Sequence, residues 1–202
     1  MYVLALECST AHGSLALTGG WRTEFTTGRG EGGKLFTALA DAMKMVRAAD
    51  ERLERIVVGL GPGSYSGVRQ AIAAATGLAT ATGARLVGVP SAAALDVTEP
   101  RYQAVGDARR GTFYYTAIES GVCVAGPELL EDQAGLQARL AERADWPVLA
   151  VENVPDGLDA ETRVALPTAE RLLSPPVAGH LLPPLEPIYL RPVAFTLSKA
   201  RI

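Results

Sequence analysis

The sequence predicts an α/β protein in which mixed sheets are flanked by helices, and three observations carry that expectation. A meander of short apolar runs opens the chain, strand and helix patterns then alternate, and a Gly/Pro/Ser-rich turn joins a β-branched run to a helix without charge. Tyr2–Leu6 reads as a buried strand, Glu7–Gly13 as a turn, Ser14–Thr18 as a second strand, and Trp21–Thr27 alternates like a third, all antiparallel. The glycine-rich loop Gly28–Gly33 leads into a helix over Lys34–Ala49. On that helix the apolar residues from Leu35 to Ala49 cover an arc of roughly 220°, about twice what packing on one side needs. A second partner is therefore expected.

The central stretch is Ile56–Thr82. Ile56–Leu60 is an apolar strand, Gly61–Gly67 a turn with special backbone angles, and the residues after it a helix capped by Ser64 or Ser66. From Gln70 to Thr82 there is no charge, so this helix too should be covered on more than one side. Arg85–Pro90 reads as a strand and Ser91–Val97 as a short helix capped by Ser91. The pattern breaks near Thr98–Pro100, dividing the chain into a unit of residues 1–98 and a second of 99–202. The second begins like the first: strands at Tyr102–Gly106 and Thr112–Ile118 around the turn Asp107–Gly111, a strand at Gly121–Ala125, a helix at Gly135–Ala144 and a strand at Val148–Val151. A strand at Arg163–Leu166, a short helix at Thr168–Leu173 and a proline-rich tail follow, as in a duplicated fold cut short.

Composition narrows the function classes. The 202 residues are 48% hydrophobic and carry a net charge of −3, which gives no overall basic surface for nucleic acid. No run approaches the roughly 20 apolar residues of a membrane span, and Met1–Glu7 lacks the basic start of a secretory signal. Cys8 and Cys123 stand in no metal or redox spacing, which together with the rest points to a cytoplasmic protein without membrane attachment.

The glycine loop invites a phosphate-binding reading, because glycines before a helix N-terminus present free N–H groups. It lacks the lysine of a P-loop, its third glycine is misplaced for a dinucleotide fingerprint, and Tyr65 stands where a nucleophilic serine would be. A tight structural turn is favoured, with Arg69 in the first turn of the helix facing an anion or a carboxylate elsewhere. Glu7 and Ser9 end the first strand, where an acid and a hydroxyl could serve a metal or a phosphate, or simply face solvent. His12 and His180 form no metal pair. Asp107 and Arg109 belong to a charged hairpin turn whose sharper reading is a polar clamp.

Gly59-x-Gly61-Pro62-Gly63-Ser64-Tyr65-Ser66-Gly67-Val68-Arg69, followed by Gly77-Leu78-Ala79 and Val87-Gly88-Val89-Pro90-Ser91, resembles the TsaB (YeaZ) family. So do Leu4-Ala5-Leu6-Glu7-x-Ser9-Thr10, Asp107–Gly111 and Pro187-Ile188-Tyr189-Leu190-Arg191, in the same order along the chain. The family usually has Asp at position 7, and often a His near the first long helix where this chain reads Gly32-Gly33-Lys34.

The resemblance implies an actin-like (ASKHA) fold of two RNase-H-like halves, the second reduced. It further implies a non-catalytic scaffold for threonylcarbamoyl transfer to the adenosine beside the tRNA anticodon. Such a subunit pairs through a helical bundle with the catalytic TsaD-type subunit, or with a second copy when alone, and a TsaE-type ATPase joins the complex. No cofactor of its own and no resident metal follow from it; ATP or ADP would belong at the joint with the catalytic subunit, and tRNA would be met through the complex. Leu39, Met43, Val46, Ala71, Ala74, Ala75 and Leu78 are the expected contact residues, and the glycine loop contributes Gly61, Gly63, Ser64, Ser66, Gly67 and Arg69. The rival expectation is a stand-alone ATP-dependent phosphotransferase or peptidase-like hydrolase, for which Glu7, Ser9 and the glycine loop are the available parts.

Overall fold

A computed structural model describes residues 1–28, 30–159, 162–174 and 182–191; His180 lies outside them. Strands of five to seven residues, apolar except for the alternating β3, build the first sheet from β1 (Tyr2–Glu7), β2 (His12–Leu17), β3 (Arg22–Thr26), β4 (Leu53–Gly59) and β5 (Arg85–Val89), in the order β3-β2-β1-β4-β5. β1, β2 and β3 pair antiparallel, whereas β4 lies parallel to both β1 and β5. The two parallel crossovers pass through α1 (Gly32–Ala48) and α2 (Tyr65–Thr82).

The second sheet repeats that plan. It is built from β6 (Arg101–Asp107), β7 (Phe113–Glu119), β8 (Val122–Leu130), β9 (Val148–Val151) and β10 (Arg163–Ala165), in the order β8-β7-β6-β9-β10. β6, β7 and β8 form the antiparallel meander, and β9 and β10 run parallel to β6. α3 (Gln133–Ala141) leads from β8 to β9, as α1 leads from β3 to β4. No helix among the described residues matches α2 between β9 and β10. Two mixed five-stranded sheets of one strand order, flanked by helices, make the actin-like α/β fold expected from the sequence.

Strand alternation sorts the core into layers. Leu4, Leu6, Leu15, Leu17, Ile56 and Val58 point one way, toward Leu35, Leu39, Ala42 and Val46 of α1 and Ala71 and Ala75 of α2. Ala5, Ala16, Val57, Val87 and Val89 point the other way, into a core shared with Tyr102, Ala104, Tyr114, Ile118 and Leu149 of the second sheet. The outer face of that sheet, Val105, Phe113, Tyr115 and Ala117, is covered by Leu136 and Leu140 of α3. The ends of the halves are exchanged: Tyr102 donates to the Ala92 carbonyl in the 3-10 turn Ser91–Ala94 of the first half, and the Ser14 hydroxyl of β2 accepts from Ala169 N–H of α4 (Ala169–Leu172) in the second.

This packing corrects part of the expected contact surface. Leu39, Val46, Ala71 and Ala75 are 8% exposed or less and fill the monomer's own core, because the small residues of α2 let it lie close on the first sheet. Met43, Ala74 and Leu78 stay half-buried. A second correction concerns Ser91, which caps nothing: its hydroxyl accepts from Gly61 N–H at 2.9 Å, and Pro90 opens the 3-10 turn. β8 runs five residues beyond the strand expected to end at Ala125.

Candidate functional site

The polar ends of the two sheets face each other across a cavity of about 700 Å³. On the first half, β1 ends in Glu7 and turns through Cys8–Ala11, while β4 ends in Gly59 and enters the glycine loop. These segments pack against each other so closely that only glycine fits. A Cβ on Gly59 would overlap the Glu7 carboxylate, one on Gly63 the Ser9 carbonyl, and one on Gly67 the Cys8 carbonyl. Ser64 closes the turn: its N–H donates to the Ser9 carbonyl at 2.6 Å, and its hydroxyl accepts from Gly67 N–H at 3.3 Å as the α2 cap. Ser66 is exposed and has no capping role.

Glu7 is thereby sealed at 0% exposure. Its Oε1 accepts from Ser9 N–H at 2.7 Å, while Oε2 and the Ser9 hydroxyl have no hydrogen-bond partner. Burial pushes the carboxyl above the usual range, against smaller opposing contributions from Ser9, Ser91 and Cys8. Glu7 does not line the cavity, although Ser9 and Thr10 do. An acid meant to hold a metal or to take a substrate proton must reach it, and this one is walled off by Gly59 and Ser91. Among the described residues no three His, Cys, Asp or Glu side chains gather where they could hold a metal ion. Cys8 is equally buried, its thiol pushed up by desolvation and then by Glu7, so it serves as a small apolar residue.

The second half contributes the opposite wall. Asp107 ends β6 as Glu7 ends β1, yet it is exposed; it accepts from Arg109 N–H at 2.6 Å and pairs with the Arg109 guanidinium at 3.4 Å. The two expected clamp residues thus bind each other at the cavity edge. Sequence reasoning missed Glu152, which follows β9. It holds a positive φ of 70°, and its carboxylate accepts from Ala11 N–H at 2.6 Å, tying the second half to the β1–β2 turn. It also missed the role of residues 182–191. Ile188 N–H donates to the Leu60 carbonyl at 2.9 Å, Arg191 donates to the Arg109 carbonyl at 3.2 Å and to Thr112, and Tyr189 packs on Tyr65. That segment straps the glycine loop to the Asp107–Gly111 turn.

Among the residues expected to serve a site, the structure gathers Gly63, Ser64, Asp107 and Arg109 around the cavity. Gly61 sits behind it, holding φ 85°, and Arg69 points to Tyr65, donating to its hydroxyl at 2.6 Å. The helix face stands apart, on the far side of the first sheet.

These features define an actin-like protein whose first-half loops are packed on themselves. The chain belongs to the family described as TsaD: tRNA N6-adenosine threonylcarbamoyltransferase, whose sequence model matches residues 33–152. Its fold is that of YeaZ from Pseudomonas aeruginosa, with a TM-score of 0.67 at 23% identity over 94% of this chain and 99% of the other. A Pseudomonas aeruginosa crystal structure described as an uncharacterized protein with similarity to peptidase YeaZ gives 0.68 at the same identity and coverage. The TsaB (YeaZ) resemblance read from the sequence is met by both the family and the fold. An uncharacterized protein of Mycobacterium leprae (strain TN) is 38% identical over 94 residues, 46% of this chain. The matching region makes up 25% of that relative's length.

Proposed function

We propose that this chain is a non-catalytic scaffold subunit for forming threonylcarbamoyladenosine in tRNA, and that it pairs with a catalytic TsaD-type subunit through the outer faces of α1 and α2. One observation carries the reading: these helices keep apolar surface after packing on their own sheet. Phe36 is 57% and Met45 45% exposed, on opposite flanks of α1, and Met43 on α1 and Ile72, Ala74, Leu78 and Ala79 on α2 are half-buried. A monomer gains nothing from a Phe and a Met in water, and a helix pair of this size can bury about 800 Å² per partner. The sealed Glu7 supports a role without catalysis, since the acid at the end of β1 has no path to a substrate.

In this reading the chain pairs with itself when alone, works in the cytoplasm, and leaves the TsaE-type ATPase and any ATP or ADP to the joint with the catalytic subunit. No helix among the described residues is long and apolar enough to cross a membrane.

The test is light scattering after size exclusion, on the chain alone and mixed with a TsaD-type subunit. The wild type is expected to exchange from homodimer to one-to-one heterodimer, and Leu78→Arg to stay monomeric while still melting cooperatively. A Leu78→Arg chain that pairs normally would overturn the surface assigned here.

A further inference from the structure

The scaffold role leaves one feature of the cavity rim unused. Tyr65, the first residue of α2, and Tyr189 on the strap are 49% and 43% exposed, although aromatic rings are ordinarily covered for their large apolar area. Their ring centroids lie 5.6 Å apart at an interplanar angle of 40°. Arg69, one turn along α2, stands over the Tyr65 ring at 5.1 Å. Arg109 and Arg191 line the same cavity, with Arg191 donating to the Arg109 carbonyl.

Among the described residues the three arginines at this edge face an equal number of acids, and what differs is how each is engaged. The nearby acids are Asp107, Glu152 and Glu186; Asp107 is engaged by Arg109 and Glu152 by Ala11 N–H. Arg69 donates to the Tyr65 hydroxyl and Arg191 to the Arg109 carbonyl and Thr112, and among the described residues neither forms an ion pair with a carboxylate. A chain of net charge −3 therefore carries a local cluster of arginines interleaved with two tyrosines.

We infer that this rim is a contact for single-stranded RNA, in which a base stacks on the Tyr65–Tyr189 pair and the flanking phosphates are met by Arg69 and Arg191. The inference rests on the proposed function, which brings an RNA to the assembly, and adds that this chain touches it directly. Each part of the rim matches one part of the ligand. Unpaired bases offer a face to aromatic rings, and guanidinium forks match phosphate oxygens. A duplex hides its base faces, so it meets only the arginines.

The experiment is fluorescence anisotropy with a fluorescein-labelled anticodon stem-loop RNA and a fully paired RNA duplex of equal length, titrated with the full chain at low salt. The stem-loop is expected to bind more tightly than the duplex. Tyr189→Ala should weaken it about tenfold, as losing a base-stacking ring does, while Tyr189→Phe binds as the wild type. Arg69→Ala and Arg191→Ala should each reduce the slope of log affinity against log salt by about 0.7. Tyr189→Leu keeps an apolar anchor for the strap, so binding restored by leucine would show that the strap matters and stacking does not.

Equal affinity for the duplex, wild-type binding by Tyr189→Ala, or displacement of the RNA by free AMP at matched base concentration would each overturn the inference. Light scattering of the same variants with the TsaD-type subunit reads pairing separately. Lost RNA binding with intact pairing tests the rim, and lost pairing tests the scaffold.

Discussion

The two halves share a strand order but use it for opposite ends. In the first, the turn after β1 and the loop after β4 are pressed together through Gly59, Gly63 and Gly67, and the acid between them is fully buried. In the second, the equivalent acid Asp107 lies in an open turn, and a Cβ on Gly111 would meet nothing within 4 Å. The first half also keeps an 18-residue helix between its parallel strands, where the second returns from β9 to β10 without one among the described residues. A duplicated fold has thus been divided into a sealed half with a spare helical face and an open half that supplies charge to the rim.

Three groups of substitutions probe that contrast beyond the tests already described. The largest effect is expected from Ala75→Arg. Ala75 is 0% exposed against the first sheet, so an arginine there is a buried unpaired charge, and loss of more than about 4 kcal/mol should leave no cooperative melt by circular dichroism. Leu78→Arg, three residues on and only half-buried, should still melt cooperatively. A folded Ala75→Arg chain would mean that α2 can lift from its sheet.

Next comes the pair Gly67→Ala and Gly111→Ala. Gly67 must make room against the Cys8 carbonyl, which overpacking arguments put at about 3 kcal/mol. Gly111 has open space and only a φ of 73° to satisfy, for about 1 kcal/mol. Urea midpoints that rank the two in the reverse order would break the distinction between sealed and open ends.

A pH-dependent effect is expected at Glu7, and the smallest at Asp107. Its folded pKa lies above the unfolded value of about 4.3, so the neutral acid is the form that fits. Stability is then full below about pH 4 and falls as the pH rises through the folded pKa. Glu7→Gln should flatten that decline and melt above the wild type at pH 8 while matching it in acid. The same change at exposed Asp107 should move stability by less than about 0.5 kcal/mol.

Much of the strand plan was legible because period-two and β-branched runs speak for themselves. The meander, β4, α2, β5 and the start of the second half fall where the sequence puts them, and a structural turn rather than a ligand loop is what the glycine spacing favoured. The extension of β8 was hidden by Gly126 and Pro127, which read as a break. The candidate surface was half legible. An apolar arc records how much of a helix is covered and not by what, so Leu39, Val46, Ala71 and Ala75 were assigned to a partner when they belong to the core. Glu152 and Arg191 carry no local signal, because each acts on backbone far away in sequence.

The sequence by itself determined the α/β class, the order of elements, the over-apolar helices and the family, since these rest on local periodicity and motif order. Tertiary structure decided what lies against what. Only the packing of the β1–β2 turn on the glycine loop could show that Glu7 is sealed, and only the strap's return to Leu60 and Arg109 could set Tyr189 beside Tyr65. Burial and long-range hydrogen bonds join residues from distant parts of the chain, and no window along the sequence contains both partners.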